Sequence, residues 1–150
     1  MSTEKNTLAI SLFSEVLAAD QMVRFRLGRV LPKGMEISHF SVLNHLVWQD
    51  EERSPAQLAE TFNVTRGAMT NTLNRLEWAG YVHIRPDWDD ARRKMVAISP
   101  AGRNAREQAL SAIAPMVADV IEVLGEDRVR ETLPILRQLR IRLSDKRKPD

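Results

Sequence analysis

The stretch from Thr65 to Gly80 carries the pattern that most limits how this chain can fold. The Thr65 hydroxyl can accept from a backbone N–H one turn on, and Gly80 can end a helix in the left-handed conformation without a steric penalty. Met69, Leu73, Leu76 and Gly80 recur at helical spacing, which predicts one face packed against a core. The pattern therefore predicts a helix with marked ends and one buried face.

The opposite face of this helix is polar and has no carboxylate before Glu77. A solvent-facing helix surface usually mixes both signs of charge, whereas arginine can bind guanine and asparagine can bind adenine. The face therefore indicates contact with nucleic acid, with a plain solvated surface as the alternative. Its residues are Arg66, Thr70, Asn71, Asn74 and Arg75.

Charge and composition narrow the class of protein. The chain has 150 residues, which suits one domain with or without an oligomerisation element. Lys and Arg total 22 against 20 for Asp and Glu, but nine basic and five acidic side chains fall between Arg53 and Arg106, around the polar helix. That distribution suits a phosphate backbone.

The absence of cysteine excludes disulfides, thiolate metal sites and thiol redox sensing. Neither a signal peptide nor an uncharged run of about 18 residues is visible, so we expect a cytoplasmic protein without membrane contact.

Two long segments flank the centre and carry apolar residues on more than one side. The first predicted helix covers about residues 8–31, after a polar N-terminus predicted to fray, and the second segment covers about residues 100–145. A helix that is apolar on two sides needs a second covering surface, and another subunit is the economical source. We therefore expect these segments to be dimerisation helices. The basic tail from Lys146 to Asp150 is expected to be disordered.

The segment between these two flanking segments, about residues 38–99, is predicted to form a lobe. Ser38 is predicted to cap a helix that ends near Gln49, and Ser54-Pro55 is a start signal for a short helix that precedes a turn at Asn63. This helix and the Thr65 helix form a predicted helix-turn-helix, the Thr65 helix being the recognition helix. Two short strands with a charged loop between them follow, which predicts a two-stranded β-wing. The fold class is mainly α with this wing.

These residues resemble the MarR family of winged helix-turn-helix transcriptional regulators. The wing signature of that family, Asp-x-Arg, five residues, then Leu-Thr-x-x-Gly, corresponds to Asp90-Ala91-Arg92, five residues and Ile98-Ser99-Pro100-Ala101-Gly102. The other matching segments are Gln57-Leu58-Ala59, Thr65-Arg66-Gly67-Ala68-Met69-Thr70, Asn74-Arg75-Leu76-Glu77 and Gly80-Tyr81-Val82. The resemblance implies a homodimer on a pseudo-palindromic operator in double-stranded DNA and, often, a small aromatic or anionic effector bound between dimer region and lobe.

The motif and the charge pattern define two sets of candidate residues. We expect Arg92 to enter the minor groove, with Arg93 and Lys94 in contact with flanking phosphates or solvent. Arg75 is expected to contact phosphate or to pair with an acidic wing residue such as Asp90. The DNA-binding set is Thr65, Arg66, Gly67, Thr70, Asn71, Asn74, Arg75, Arg92, Arg93 and Lys94. The effector set is Met22, Phe25, Arg26, His39, His45 and Trp48, each of which could instead serve core packing or a polar contact.

The sequence leaves more than one function open. His39 and His45 do not share a helix face and His83 lies in a strand, so no metal site or other cofactor is predicted. A ligand-modulated repressor is the leading hypothesis, and an architectural DNA binder without an effector is the second. A winged fold used for protein contacts fits the carboxylate-free face less well. No catalytic motif or phosphate-cradling glycine loop is visible, so an enzyme is not expected.

Overall fold

The computed structural model describes residues 2–49 and 51–144 and consists of six helices and a two-stranded sheet. This architecture confirms the predicted fold class. The elements in chain order are α1 (Thr3–Val30), α2 (Ile37–Gln49), α3 (Pro55–Phe62), α4 (Arg66–Trp78), β1 (Val82–Pro86), β2 (Lys94–Ile98), α5 (Pro100–Leu124) and α6 (Glu126–Ser144).

Local capping fixes the helix-turn-helix. Ser54 and Gln57 form a capping box at the start of α3, in which each side chain accepts from the other residue's backbone N–H. Asn63 ends α3 in the left-handed conformation, with φ 52°, and the Thr65 hydroxyl accepts from the Ala68 N–H at 3.1 Å. The turn is therefore specified by polar residues at both helix ends, as the sequence predicted.

The core of the lobe lies between α2, α3, α4 and the wing. Met69, Leu73 and Leu76 of α4 are buried, as predicted from their spacing. Gly80, predicted on the same face, is exposed because α4 ends at Trp78 and Gly80 lies in the turn that follows, at φ 80°. The three buried side chains pack in one cluster with side chains from the neighbouring elements: Val42, Leu43, Leu46, Leu58, Ala59, Val82, Val96 and Ala105.

The wing is an antiparallel hairpin whose second strand has a further backbone partner. Val82 pairs with Ile98 at the base, and Pro86 pairs with Lys94 next to the loop. On the other side of β2, the Arg53 N–H donates to the Val96 carbonyl at 3.1 Å, and the Arg53 carbonyl accepts from the Val96 N–H at 2.7 Å. The segment before α3 thus extends the hairpin by one bridge.

Gly102 lets α5 approach the wing base closely. An added Cβ at this position would lie 2.1 Å from the Tyr81 carbonyl oxygen, so a side chain cannot fit without displacing backbone. The Ser99 hydroxyl donates to the Gly80 carbonyl at 2.6 Å and accepts from the Gly102 N–H at 3.0 Å. The start of α5 is therefore joined directly to the turn that follows α4.

The terminal helices differ from the prediction in their boundaries. Helix α1 begins at Thr3 because the Ser2 side chain caps it, so the predicted fraying of the first seven residues is wrong from Ser2 onward. Helix α2 begins at Ile37 and not after a Ser38 cap; the His39 Nδ1 instead accepts from the Glu36 N–H at 3.1 Å. Residue 145 and the tail of residues 146–150 lie outside the described residues.

The chain divides into two compact units, residues 1–113 and 114–150. The first unit contains the lobe and α1, and the second contains the end of α5 and all of α6. Gly125, at φ 91°, separates these two helices. Neither α1 nor α6 has a buried residue.

Candidate nucleic-acid interface

The predicted DNA-binding residues that lie on the recognition helix α4 are all exposed to solvent. Burial of its apolar stripe turns the opposite side outward, and along that side Gly67, Asn71 and Asn74 follow one another at i, i+4 and i+7. Arg66, Thr70 and Arg75 flank this line and are also exposed. The result is a continuous row of donors along the helix, with Thr65 at its N-terminal end.

Arg75 has a different partner from the one predicted. Its Nη1 donates to Glu36 Oε1 at 3.5 Å, whereas Asp90 pairs with Arg92, so the predicted pairing of Arg75 with Asp90 is wrong. Both partners of the Arg75–Glu36 pair are more than half exposed. Exposed pairs of this kind contribute only about 0–1 kcal/mol. The Arg75 guanidinium can therefore exchange Glu36 for a phosphate at small cost.

The wing loop is braced by its own carboxylates. Asp90 Oδ1 accepts from the Arg92 backbone N–H at 3.0 Å and from Arg92 Nε at 3.2 Å, and Asp87 Oδ1 accepts from the Asp89 N–H at 3.1 Å. The hydrogen bonds from Arg92, with a smaller contribution from the charge of Arg93, hold the pKa of Asp90 below its ordinary value. Asp90 is therefore ionised at neutral pH and keeps the loop folded around Arg92.

Arg92 remains available for contact although it is paired. Its side chain is 92% exposed, because Asp90 engages the Nε edge of the guanidinium. Arg93 and Lys94 are exposed as well. Three cationic side chains thus project from the wing.

A cleft lies between α4 and the wing and joins the two sets of predicted contacts. It has a volume of about 280 Å³ and is called the wing cleft below. Thr70 and Asn74 line it from the helix, and Arg85 and Lys94 line it from the strands. The remaining lining residues are Pro55, Leu73, Glu77, Ile84 and Pro86. The helix face and the wing therefore border one continuous surface.

A second cavity, here the His39 cavity, lies behind α4 and has a volume of about 310 Å³. Its polar lining consists of Lys33, His39, Arg75, Tyr81 and Gln108, and its other lining residues are Pro32, Gly34, Met35, Leu76, Ala79 and Ala105. No carboxylate is among these lining residues. The cavity therefore offers cations and hydrogen-bond donors beside apolar carbon.

The six predicted effector residues do not gather around this cavity. Only His39 lines it, while Met22, Phe25 and Trp48 are more than half exposed. Arg26 is also exposed on α1. The effector role predicted for these residues, at the junction of dimer region and lobe, stays a prediction.

His45, the sixth effector candidate, belongs to the packing between α2 and α3. Its ring meets Phe62 edge to face, with centroids 5.5 Å apart. Burial, and then the positive charge of Arg53, lower the pKa of His45. The residue is therefore neutral at pH 7 and acts as part of the lobe's packing.

Four residues near the interface were not predicted from the sequence: Glu36, Glu52, Arg85 and Trp78. Glu36 and Glu52 pair with Arg75 and Arg85 across 39 and 33 residues, and nothing in the local pattern marks such distant partners. Trp78 is 94% exposed and continues the line of Gly67, Asn71 and Asn74 at i+11. Its helical spacing was the available signal for this fourth position on the face.

Two further features bear on the class of protein. Among residues 2–49 and 51–144, no group of three or more His, Asp or Glu side chains could hold a metal ion. No single helix in the same residues is long and apolar enough to cross a membrane, and only α5 and α6 taken together across their bend meet that test of length and composition.

The chain is similar to known regulators over most of its length. A family model described as MarR family matches residues 33–93. The uncharacterized HTH-type transcriptional regulator YdgG of Bacillus subtilis (strain 168) is 28% identical over 138 residues, which are 90% of each chain. The HTH-type transcriptional repressor YetL of the same strain is 27% identical over 113 residues, which are 75% of this chain and 68% of YetL.

The fold is similar to that of a solved protein–DNA complex. A crystal structure of a MarR variant from E. coli complexed with operator DNA superposes with a TM-score of 0.73 at 23% identity, covering 87% of this chain and 94% of that one. The family match covers the segment from the α1–α2 loop to the wing loop, which includes the helix-turn-helix and its charged face. Residues 33–93 therefore match the MarR family, and over most of its length the chain is similar to HTH-type transcriptional regulators.

Proposed function

We propose that this regulator is a homodimeric repressor that binds a pseudo-palindromic operator and releases it when a small effector binds. The exposed row of donors on α4 carries the DNA-binding part of the proposal. In the described residues this row has one acidic partner, Glu36, and that pair is weak. A surface of this kind complements base edges and phosphates, and it differs from a plain solvated helix face, which usually mixes both signs of charge.

The direct contacts divide between α4 and the wing. In the proposal, Arg66, Thr70, Asn71 and Asn74 face the major groove, where asparagine can bind adenine in bidentate fashion. Thr65 and Gly67 bring the helix N-terminus close to a phosphate. Arg92 enters the minor groove next to the site, and Arg75, Arg93 and Lys94 contact phosphates.

The second subunit is proposed from apolar exposure on the flanking helices. On α1, Leu8, Ile10 and Leu17 are each at least two-thirds exposed, and on α6, Ile141 and Leu143 are more than half exposed. Soluble monomers rarely leave so much contiguous apolar surface in water. We propose that residues of about 8–31 and 100–145 form the dimer region, and that residues of about 38–99 form the DNA-binding lobe.

Effector release is proposed to act through the His39 cavity. An anionic aromatic molecule would find Lys33 and Arg75 for its charge and Leu76 and Ala105 for its ring. Because Arg75 also lies on α4, a ligand that binds it withdraws a cation from the DNA surface. Similarity to YetL, which is named a repressor, supports the direction of control. As a regulator of DNA it would act in the cytoplasm.

Genomic footprinting with the purified protein tests the DNA-binding proposal. We expect protection of a small number of sites that share two inverted half-sites. Uniform protection without a shared sequence would support the alternative of an architectural binder. A thermal-shift screen against phenolic acids then tests the effector, with an Arg75→Ala variant as control. A shift in the native protein that is lost in this variant supports the cavity, and a shift retained in both contradicts it.

A further inference from the structure

The Arg85 side chain, near the end of β1, joins three separate parts of the lobe. Its Nε donates to Glu52 Oε1 at 3.3 Å, its Nη2 donates to Glu52 Oε2, and its Nη1 donates to the Pro86 carbonyl at 2.8 Å. Its guanidinium carbon also lies 4.5 Å from the centre of the Trp88 ring. Glu52, Arg85 and Trp88 are called the wing lock below.

The path of these contacts crosses the sheet. Glu52 precedes Arg53, which pairs with Val96 on the outer side of β2. Arg85 lies on β1 and is in register with Met95 of β2. To reach Glu52, the Arg85 side chain must therefore span β2, so the pair ties the far strand of the hairpin to the segment in front of α3.

The lock also reaches into the wing loop. Trp88 follows β1 by two residues and is 83% exposed, and the Arg85 guanidinium lies over its ring. Cation–π contact of this kind adds a second attachment to the bidentate ion pair. Arg85 and Glu52 are each about one-third exposed, which makes the pair better shielded than Arg75–Glu36 or Arg92–Asp90.

The position of the lock gives it a consequence for DNA binding. Arg85 lines the wing cleft together with Thr70 and Asn74, so the lock lies between the helix face and the wing. Arg92 is held by Asp90 to the loop, and the loop is held by Trp88 and Arg85 to the lobe. The orientation of Arg92 relative to the lobe therefore depends on Glu52.

We propose that Glu52 and Arg85, capped by Trp88, are positioning residues that set the wing at the angle at which Arg92 meets the minor groove. The proposal rests on the DNA-binding function proposed above. It assigns no DNA contact to Glu52, whose negative charge would by itself repel DNA. Loss of that charge should strengthen binding by simple electrostatics, whereas loss of the lock should weaken it, and the two accounts therefore predict opposite signs.

A double-mutant cycle on an operator duplex with A·T flanks separates these accounts. Glu52→Gln is made in the native chain and in the Arg92→Ala chain. Glu51→Gln serves as the matched control, because it removes the same charge from the adjacent residue, whose side chain is 70% exposed. We expect Glu52→Gln to weaken native binding by about threefold, which is no more than the loss expected from removing Arg92 itself. In the Arg92→Ala chain we expect a change of less than about twofold, and Glu51→Gln should not weaken binding.

Trp88→Ala provides a second variant that leaves the core untouched. We expect a smaller loss of affinity that is again absent in the Arg92→Ala chain, with circular dichroism and Tm unchanged. Equal losses from Glu52→Gln in both chains, or unchanged or tighter binding in the native chain, would overturn the wing lock alone. If Arg92→Ala itself has no effect on affinity, the proposed minor-groove contact fails and the route assigned to Glu52 fails with it. Absence of operator binding by the native chain would contradict the proposed function instead.

Discussion

The winged lobe and the flanking helices bury their apolar residues to very different extents. In the lobe, Leu43 and Leu58 are fully buried, and the polar residues at helix ends have their partners within the lobe. In α1 and α6 no residue is buried, although both helices are rich in leucine and isoleucine. The lobe is therefore completed by its own packing, and the flanking helices are completed in our proposal by a second copy of the chain.

The difference predicts where a mutation acts. A change in the lobe core should alter the stability of each chain, since the contacts it removes lie within one chain. A change on the flanking helices should alter association, since most of their apolar area is free in a single chain. DNA binding needs both, because two weakly bound lobes gain affinity when they are linked.

The largest expected effect comes from a charge on α1. Leu17 is 69% exposed in the single chain, and Leu17→Asp would place a carboxylate in the proposed dimer interface, where desolvation costs several kcal/mol. We expect loss of the dimer and a fall in operator affinity of about a hundredfold or more, measured by fluorescence anisotropy. Ser14→Asp on the same helix is the control. Native affinity in Leu17→Asp would argue that α1 has no part in assembly.

The next effect, in the lobe core, sharpens the contrast. Leu43→Ala removes a side chain with no exposed surface, and we expect a loss of about 2–5 kcal/mol in the free energy of unfolding. Chemical denaturation at two protein concentrations should show the same loss in both. Leu17→Ala should instead make Tm depend more strongly on concentration. If both variants behaved alike, the division between lobe and flanking helices would not hold.

The α4 face should affect DNA recognition without affecting either kind of packing. Asn71→Ala and Asn74→Ala each remove an exposed amide, and we expect a loss of about 1–3 kcal/mol of discrimination at one base pair per variant. Operator libraries measure the base preference, and Tm and dimer mass should stay unchanged. The base contacts would be excluded if affinity and preference were both unaltered in the two variants.

The smallest expected effect is at the wing. Arg92→Ala should weaken binding by roughly three- to tenfold on operators with A·T flanks and less on G·C flanks, because the narrow A·T minor groove concentrates negative potential. Paired duplexes that differ only in their flanks provide the measurement. An equal loss on both flanks would make Arg92 a phosphate contact, and no loss would leave the wing arginines in solvent.

The extent to which the sequence predicts this structure follows the range of the interactions. Thr65, Asn63 and the stripe of Met69, Leu73 and Leu76 act within one or two turns, so the helix-turn-helix is predicted with its ends. The wing followed from alternation and the motif that ends at Gly102. These features are local, or they recur at fixed spacing along the chain.

The remaining features depend on side chains that are distant in sequence. Arg75 was expected near a phosphate or beside an acidic wing residue such as Asp90, and it lies beside Glu36. The Arg85–Glu52 pair had no local signal at all. The effector candidates were chosen by residue type, and of the six only His39 lines the His39 cavity. Such contacts depend on how elements pack, and periodicity within one element does not contain that information.

The mass of the native chain in solution tests the central claim, that the flanking helices are completed by a second copy while the lobe is completed by itself. Sedimentation equilibrium at micromolar concentration should give twice the chain mass of 17.1 kDa for the free protein. The complex should have the mass of two chains plus one operator duplex. A folded, stable monomer at that concentration, with native helix content by circular dichroism, would contradict the account.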